Sequence, residues 1–322
     1  MPRVGLVLGA GGVAGQAYHL GVLSALTEAT GWDPRDVALV VGTSAGSVTG
    51  ALLRAGLSVE DQAARAMGRR PSAAGRDLVE RLGPRPPTPG PGQADLPPGP
   101  SAGLGGGVLR SVLARPWDAR AGTLLAAALP RGRTSNKPLM AGLDRLYGDR
   151  WPNRPLWLPA VRLANGARVV FGNDGGRRPR VAEAVAASCA IPGYFAPVSI
   201  EGVDYVDGGA HSPSNLDLLA GEGLDLVVVS SPMSISSGAL RPRLDAPVRL
   251  QFRRYLSREA AKVTRAGTPV VSFQPNAADL DVLGFNAMDP RRSRAVLERV
   301  RETTRQRLAE PALRQALAAL SG

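Results

Sequence analysis

The chain has 322 residues, with Lys+Arg 39 against Asp+Glu 27, and its formal net charge of +12 is carried almost wholly by arginine, since Lys137 and Lys262 are the only lysines. Aromatic residues are 4% of the chain while hydrophobic residues reach 44%, which excludes a nucleic-acid platform of stacked rings and rests the core on Ala, Val and Leu. The single cysteine, Cys189, excludes an internal disulfide and a cysteine-rich zinc site, and it fits a reducing, cytoplasmic compartment.

In chain order, Val4 to Leu8 is a short apolar run of strand length, too short for the apolar region of a secretory signal. Gly9 to Gly15 follows as a glycine-rich turn, and Gln16 to Thr30 carries Ala17, Leu20, Val22, Leu23 and Leu26 at helical spacing. Val37 to Val41 predicts a second strand that also ends on glycine, at Gly42, and a helix is expected from about Ser44 to Gly56. Strand, turn and helix, twice over, predict an α/β fold around a mostly parallel sheet.

Residues 84–107 are rich in proline and glycine and predict a disordered or extended insertion, with a mobile lid as the functional alternative. Strand signals return at Leu156 to Leu163, Arg168 to Phe171, Val203 to Val206, Leu224 to Ser230 and Val270 to Phe273. The run from Leu224 to Val229 is almost entirely apolar, as for a central strand buried on both faces. Over 289–322 the chain reads as an amphipathic helical segment with Val296, Val300 and Leu308 on its stripe and a break at Pro311. No stretch of about 20 apolar residues predicts a membrane span.

Three local patterns carry chemistry. Gly42-Thr43-Ser44-Ala45-Gly46 fits G-x-S-x-G between a strand and a helix, where a sharp turn exposes a serine hydroxyl at the positive end of a helix dipole. The turn at Gly9 to Gly15 has two readings. Gly9, Gly11 and Ala14 fit a dinucleotide fingerprint, but the required acid at the end of the second strand is missing, since Asp33 and Asp36 precede that strand. The other reading is an oxyanion hole made of consecutive backbone N–H groups. The third pattern is Asp207-Gly208-Gly209, by itself an ordinary turn after a short apolar run.

Taken together, these blocks resemble the patatin-like phospholipase family. The resemblance rests on Gly11-Gly12-Val13-Ala14-Gly15 leading to Gly21-Val22-Leu23, on the elbow from Gly42 to Gly46, on Ala187 to Phe195, and on Asp207-Gly208-Gly209, in that order. It implies a three-layer α/β/α fold in a single domain, with Ser44 as nucleophile, Asp207 as general base and an oxyanion hole from Gly11, Gly12 and Val13. Ala10 and Ala14 depart from the pattern, standing where the family commonly has a glycine and a basic residue.

The implied activity is that of a serine acyl hydrolase cleaving carboxylic esters of lipids through an acyl-serine intermediate, with no metal or organic cofactor. A patatin-like fold without activity, serving as a lipid-binding or regulatory module, is the alternative. The chain has only two histidines, His19 and His211, and a triad of Ser44, Asp207 and His211 would crowd acid and base into one short loop. Arginines dispersed without interleaved aromatics argue against nucleic acid. They leave a coding bias or peripheral contact with an anionic membrane as readings of the charge.

Overall fold

A computed structural model describes residues 2–85, 132–173, 178–239 and 243–320. All but the first two residues of the expected insertion at 84–107 lie outside the described residues. The strands are β1 (Val4–Leu8), β2 (Leu39–Gly42), β3 (Leu156–Arg162), β4 (Arg168–Phe171), β5 (Val198–Ile200), β6 (Val203–Asp207), β7 (Leu226–Ser230) and β8 (Val270–Phe273). The helices are α1 (Gly12–Thr30), α2 (Ala45–Arg54), α3 (Val59–Ala66), α4 (Arg76–Leu82), α5 (Lys137–Tyr147), α6 (Val181–Ser188), α7 (Ala246–Arg265), α8 (Ala277–Leu283), α9 (Ser293–Leu308) and α10 (Pro311–Ala316).

β1 lies near the middle of one sheet of order β5-β6-β3-β2-β1-β7-β8, with β4 paired to β3. The pairs β1–β2, β1–β7, β2–β3 and β7–β8 are parallel, whereas β4, β5 and β6 extend the sheet antiparallel beyond β3. The apolar runs become β1, β2 and β7 because every residue in them is buried. Leu6, Leu8, Val40 and Val228 pack into one apolar layer, with Leu20, Leu23 and Leu53 from α1 and α2. Val7, Val41, Val227 and Val229 alternate with them and face a second layer, with Leu256 and Val263 from α7. A sheet covered on both faces by helices is the three-layer α/β/α arrangement.

The register brings two turns to one edge of the sheet. Leu8 pairs with Gly42 and also with Ser230, so β1, β2 and β7 end side by side, and the segments after β1 and β2 leave the sheet together. In open α/β sheets this carboxyl edge is where ligands bind.

The first helix departs from the sequence expectation at its start. α1 starts at Gly12, inside the stretch expected as a turn, rather than at Gln16. Its residues from Ala17 to Leu26 are all buried, so it is a central helix and not an amphipathic one.

Candidate active site

The elbow is shaped by a close approach between chain segments. Thr43 N–H donates to Leu8 O at 2.9 Å, and Gly46 N–H then returns to Thr43 O at 2.9 Å. A Cβ on Gly46 would lie 1.9 Å from Leu8 O, and one on Gly42 would lie 2.6 Å from Gly46 O, so both positions require glycine for space. The turn forces Ser44 to φ 53° and ψ −118°, a strained conformation for a residue with a side chain, of order 1–3 kcal/mol.

Three side chains hold that strained peptide. Ser44 N–H donates to Ser188 Oγ at 3.1 Å, and Ser44 O accepts from Ser47 Oγ at 2.6 Å and from Cys189 Sγ at 3.2 Å. Ser188 and Cys189 come from the end of α6, far away in the chain, and nothing in their local pattern marks this role. Burial, with Asp207 nearby, pushes the Cys189 thiol up to about 12, so at neutral pH it acts as a hydrogen-bond donor and not as a thiolate.

Asp207 closes β6. Its register partner is Ala160 on β3, and its N–H donates to Ala190 O at 2.9 Å, which aims the chain end toward the elbow. Asp207 Oδ1 accepts from Gly209 N–H at 2.7 Å. The carboxyl is buried, 4% exposed. Burial pushes its pKa from 3.8 up to about 6, against the opposite pull of the Ser44 hydroxyl and the Gly209 N–H. Ser44 and Asp207 are thus brought together from distant parts of the chain.

The two histidines separate into different roles. His19 is fully buried on α1, with Nε2 2.8 Å from Gly9 O and Nδ1 2.8 Å from Ser230 Oγ. A carbonyl only accepts, so Nε2 carries the proton and Nδ1 accepts from the hydroxyl. His19 therefore fastens the glycine turn to the end of β7. His211 follows the turn after Asp207, its N–H donating to Gly208 O at 3.0 Å, and its imidazole acts electrostatically on Asp217.

Asn215 is a further residue that the sequence pattern does not reveal. It sits at φ 52°, and its Nδ2 donates to Thr43 Oγ1 at 3.1 Å and to Ser212 O at 2.6 Å. Its Oδ1 accepts from Arg168 Nη1 at 3.1 Å, and Arg168 also clasps Asp217 at 2.6 Å. This chain of contacts ties the residue beside Ser44 to the loop beside Asp207. In sequence Asn215 reads as a turn residue, and only its partners distinguish it.

At the start of α1, Ala14 N–H donates to Ala287 O at 2.9 Å and Gly15 N–H to Gly11 O at 2.8 Å. Among the described residues no acceptor takes the N–H of Gly12 or Val13. Both residues line a cavity of about 260 Å³ together with Ser44, Cys189, Ile191, Phe195 and Met288. Gly11 lies just outside it, where its Cα faces Pro232 and a Cβ would lie 2.7 Å from Pro232 Cγ. Gly12 takes φ 61°, a left-handed conformation at the first position of the helix, where the first amides have no partner within the helix. Among the described residues no three His, Cys, Asp or Glu side chains gather to hold a metal ion. No helix among them is long and apolar enough to cross a membrane.

A parallel sheet with a strained serine at the end of one strand, a glycine turn at the end of its neighbour and a buried aspartate beside them defines an α/β protein built around a nucleophile elbow. The family model described as patatin-like phospholipase matches residues 6–220, more than half of the chain. The chain belongs to the patatin-like phospholipase family, a family of lipid acyl hydrolases.

Among solved structures, the chain is similar to VipD from Legionella pneumophila at 16% identity and TM-score 0.44, over 95% of this chain and 66% of that one. It is similar to the type III effector protein ExoU at 18% identity and TM-score 0.35, over 99% of this chain and 58% of that one. A chain of the heterodimeric ExoU–SpcU complex from Pseudomonas aeruginosa matches at 20% identity and TM-score 0.36, over 95% of this chain and 51% of that one. The chain therefore spans less than two thirds of each of these three chains.

Proposed function

We propose that the protein is a serine acyl hydrolase that cleaves carboxylic ester bonds of lipids with a Ser44–Asp207 dyad. The observation that carries this reading is the meeting of a strained, buried Ser44 with a buried Asp207 whose carboxyl is raised to about 6. A carboxylate of ordinary pKa is a weak base for a hydroxyl, and desolvation makes this one stronger while leaving it ionised at neutral pH.

In the first half-reaction Asp207 takes the proton of the Ser44 hydroxyl as Oγ attacks the ester carbonyl carbon. The N–H groups of Gly12 and Val13 support this step, since they are unpaired among the described residues and both residues line the same cavity; Gly11 completes the glycine turn. They donate to the oxygen that becomes negative in the tetrahedral intermediate. Collapse expels the alcohol, which receives the proton from Asp207, and leaves an acyl group on Ser44. Water then attacks the acyl carbonyl, Asp207 accepts its proton, and the fatty acid leaves as Ser44 regains a hydrogen. The apolar cavity wall at Val48, Leu139, Ile191 and Phe195 suits an acyl chain.

Peripheral contact with an anionic membrane belongs to the same proposal. Arg253, Arg254 and Arg258 line one surface groove on α7, and added salt is expected to weaken vesicle binding.

The test is hydrolysis of a short-chain chromogenic ester, read beside fluorophosphonate labelling of Ser44. Ser44→Ala abolishes both signals. Asp207→Asn lowers turnover by at least about a hundredfold, the scale of general-base catalysis. His211→Ala retains most of the activity. Full activity in Asp207→Asn would sink the dyad, and loss of activity in His211→Ala would favour a triad.

A further inference from the structure

Two arginines share the cavity with Ser44. Arg65 lies on α3 and Arg85 follows α4, and both residues line the cavity beside Gln16 and Ser135. Neither forms an ion pair with a carboxylate among the described residues. The acid one turn before Arg65, Asp61, bonds instead to Ser58 Oγ at 2.9 Å and to Ser72 N–H at 2.6 Å. The contacts of the two guanidiniums are neutral. Arg65 Nη2 donates to Gly83 O at 3.1 Å, while Arg85 donates to Ala66 O at 3.4 Å and to Gln16 Oε1 at 3.2 Å.

Each guanidinium has five N–H donors, so most of them remain for a ligand. Two cations placed together and partly out of water, with no anion among the described residues to balance them, are an expensive arrangement. Its cost shows in Arg65, which burial and then the neighbouring Arg85 lower to about 10. An anion with several oxygens, entering between them, would restore the balance.

We propose that Arg65 and Arg85 form an anion subsite for the phosphate group of the ester substrate, so that the preferred lipids are phosphoglycerides and not neutral acylglycerols. A phosphate presents several acceptor oxygens at the spacing of a guanidinium fork, and two forks converging on it bind it in place. This rests on the acyl-hydrolase reading of Ser44, because the subsite would hold the phosphate while the ester carbonyl reaches Ser44 in the same cavity. A carboxylate or sulfate has the same charge logic, but an ester-linked phosphate is the anion that lies a few bonds from an acyl ester in one lipid molecule.

Two measurements test it. In the first, kcat/KM is compared between a phosphatidylglycerol and a diacylglycerol of the same acyl chains, both dispersed in neutral detergent micelles, for wild type, Arg65→Gln, Arg85→Gln and the double variant. The ratio of phospholipid to neutral lipid falls about 10- to 100-fold in the single variants, the weight of a charge-assisted hydrogen-bonded contact, and further in the double. Arg65→Lys recovers part of it. An unchanged ratio overturns the proposal, even if both activities drop together through a structural effect.

In the second, calorimetry follows sn-glycerol 3-phosphate and inorganic phosphate binding to Ser44→Ala, which is free of turnover. Binding that is lost in Ser44→Ala carrying Arg65→Gln and Arg85→Gln supports the subsite even if the hydrolase reading fails. Inorganic phosphate binding as tightly as the glycerol ester would assign the site to free phosphate, and absence of binding by either would overturn the proposal.

Discussion

Replacing Asp207 by asparagine is expected to lower turnover at least about a hundredfold and, at neutral pH, to make the fold more stable. Burial holds the Asp207 carboxyl at about 6 in the folded chain against 3.8 when unfolded, a rise of about two units. At 1.36 kcal/mol per unit, ionising it in the native state costs about 3 kcal/mol relative to the unfolded chain. Asparagine is neutral and of nearly the same shape, and its Oδ1 can still accept from Gly209 N–H, so it avoids that cost.

The sign follows from the raised value. Below about pH 4 the carboxyl is protonated in both states, and the stability difference between the two proteins is near zero. Between about 4 and 6 the unfolded carboxyl ionises while the folded one does not, so wild type loses stability as pH rises. Above the folded value the gap levels at about 3 kcal/mol. Urea unfolding of both proteins, followed by tryptophan fluorescence from pH 4 to 8, measures it, and shared titrations cancel in the difference. A gap independent of pH, or one that narrows as pH rises, would refute the reasoning. The same group sets the rate: kcat/KM is expected to climb about tenfold per pH unit below 6 and to level above it.

His19 shows the opposite sign. Burial lowers its imidazole from 6.5 to about 4, so acidification through that window protonates the unfolded chain and not the native one. Wild type is expected to lose about 3 kcal/mol between pH 7 and 4 from this group, and His19→Gln, assayed by the same urea series, to lack that component. A Gly46→Ala substitution places a methyl on Leu8 O and forces α2 away from β1. A loss of roughly 3 kcal/mol, at the upper end of overpacking costs, with fluorophosphonate labelling lost in the remaining folded protein, is the expected result. Native-like stability and labelling in that variant would contradict the close approach.

Much of this molecule is legible in local pattern. β1, β4 and β8 fall where their apolar runs place them, and β7 starts two residues later than its run. Strands buried on both faces leave an almost unbroken apolar record, and each turn leaves a glycine. G-x-S-x-G is legible for the same reason at Gly42, whose close contact is with Gly46 O inside the same turn, whereas the contact that demands Gly46 is made by Leu8 O, distant in sequence at the end of β1. The short helices α3 to α6 and the strand β5 leave weaker signals, since a few turns or three residues carry too little periodicity to rise above an alanine- and arginine-rich background. The antiparallel arm of β4, β5 and β6 also lies beyond local reading, because direction is set by which strand a run pairs with and not by its composition.

From its sequence alone, the chain specifies an α/β sheet and two glycine-bearing turns after neighbouring apolar runs, because backbone sterics and burial at those points act within a few residues. Tertiary structure decides what surrounds them. Ser188 and Cys189 reach Ser44 across more than 140 residues, Asn215 reaches Thr43 across 172, and each is an ordinary residue until the sheet order brings it there. The +12 charge is likewise a total until the chain folds. Most ion pairs of the described arginines lie at the surface, but Arg65 and Arg85 come together with no carboxylate partner among the described residues, because α3 and the segment after α4 line the same cavity. Burial and pairing are properties of three-dimensional neighbours, so they alone separate a dispersed cation from one poised to bind an anion.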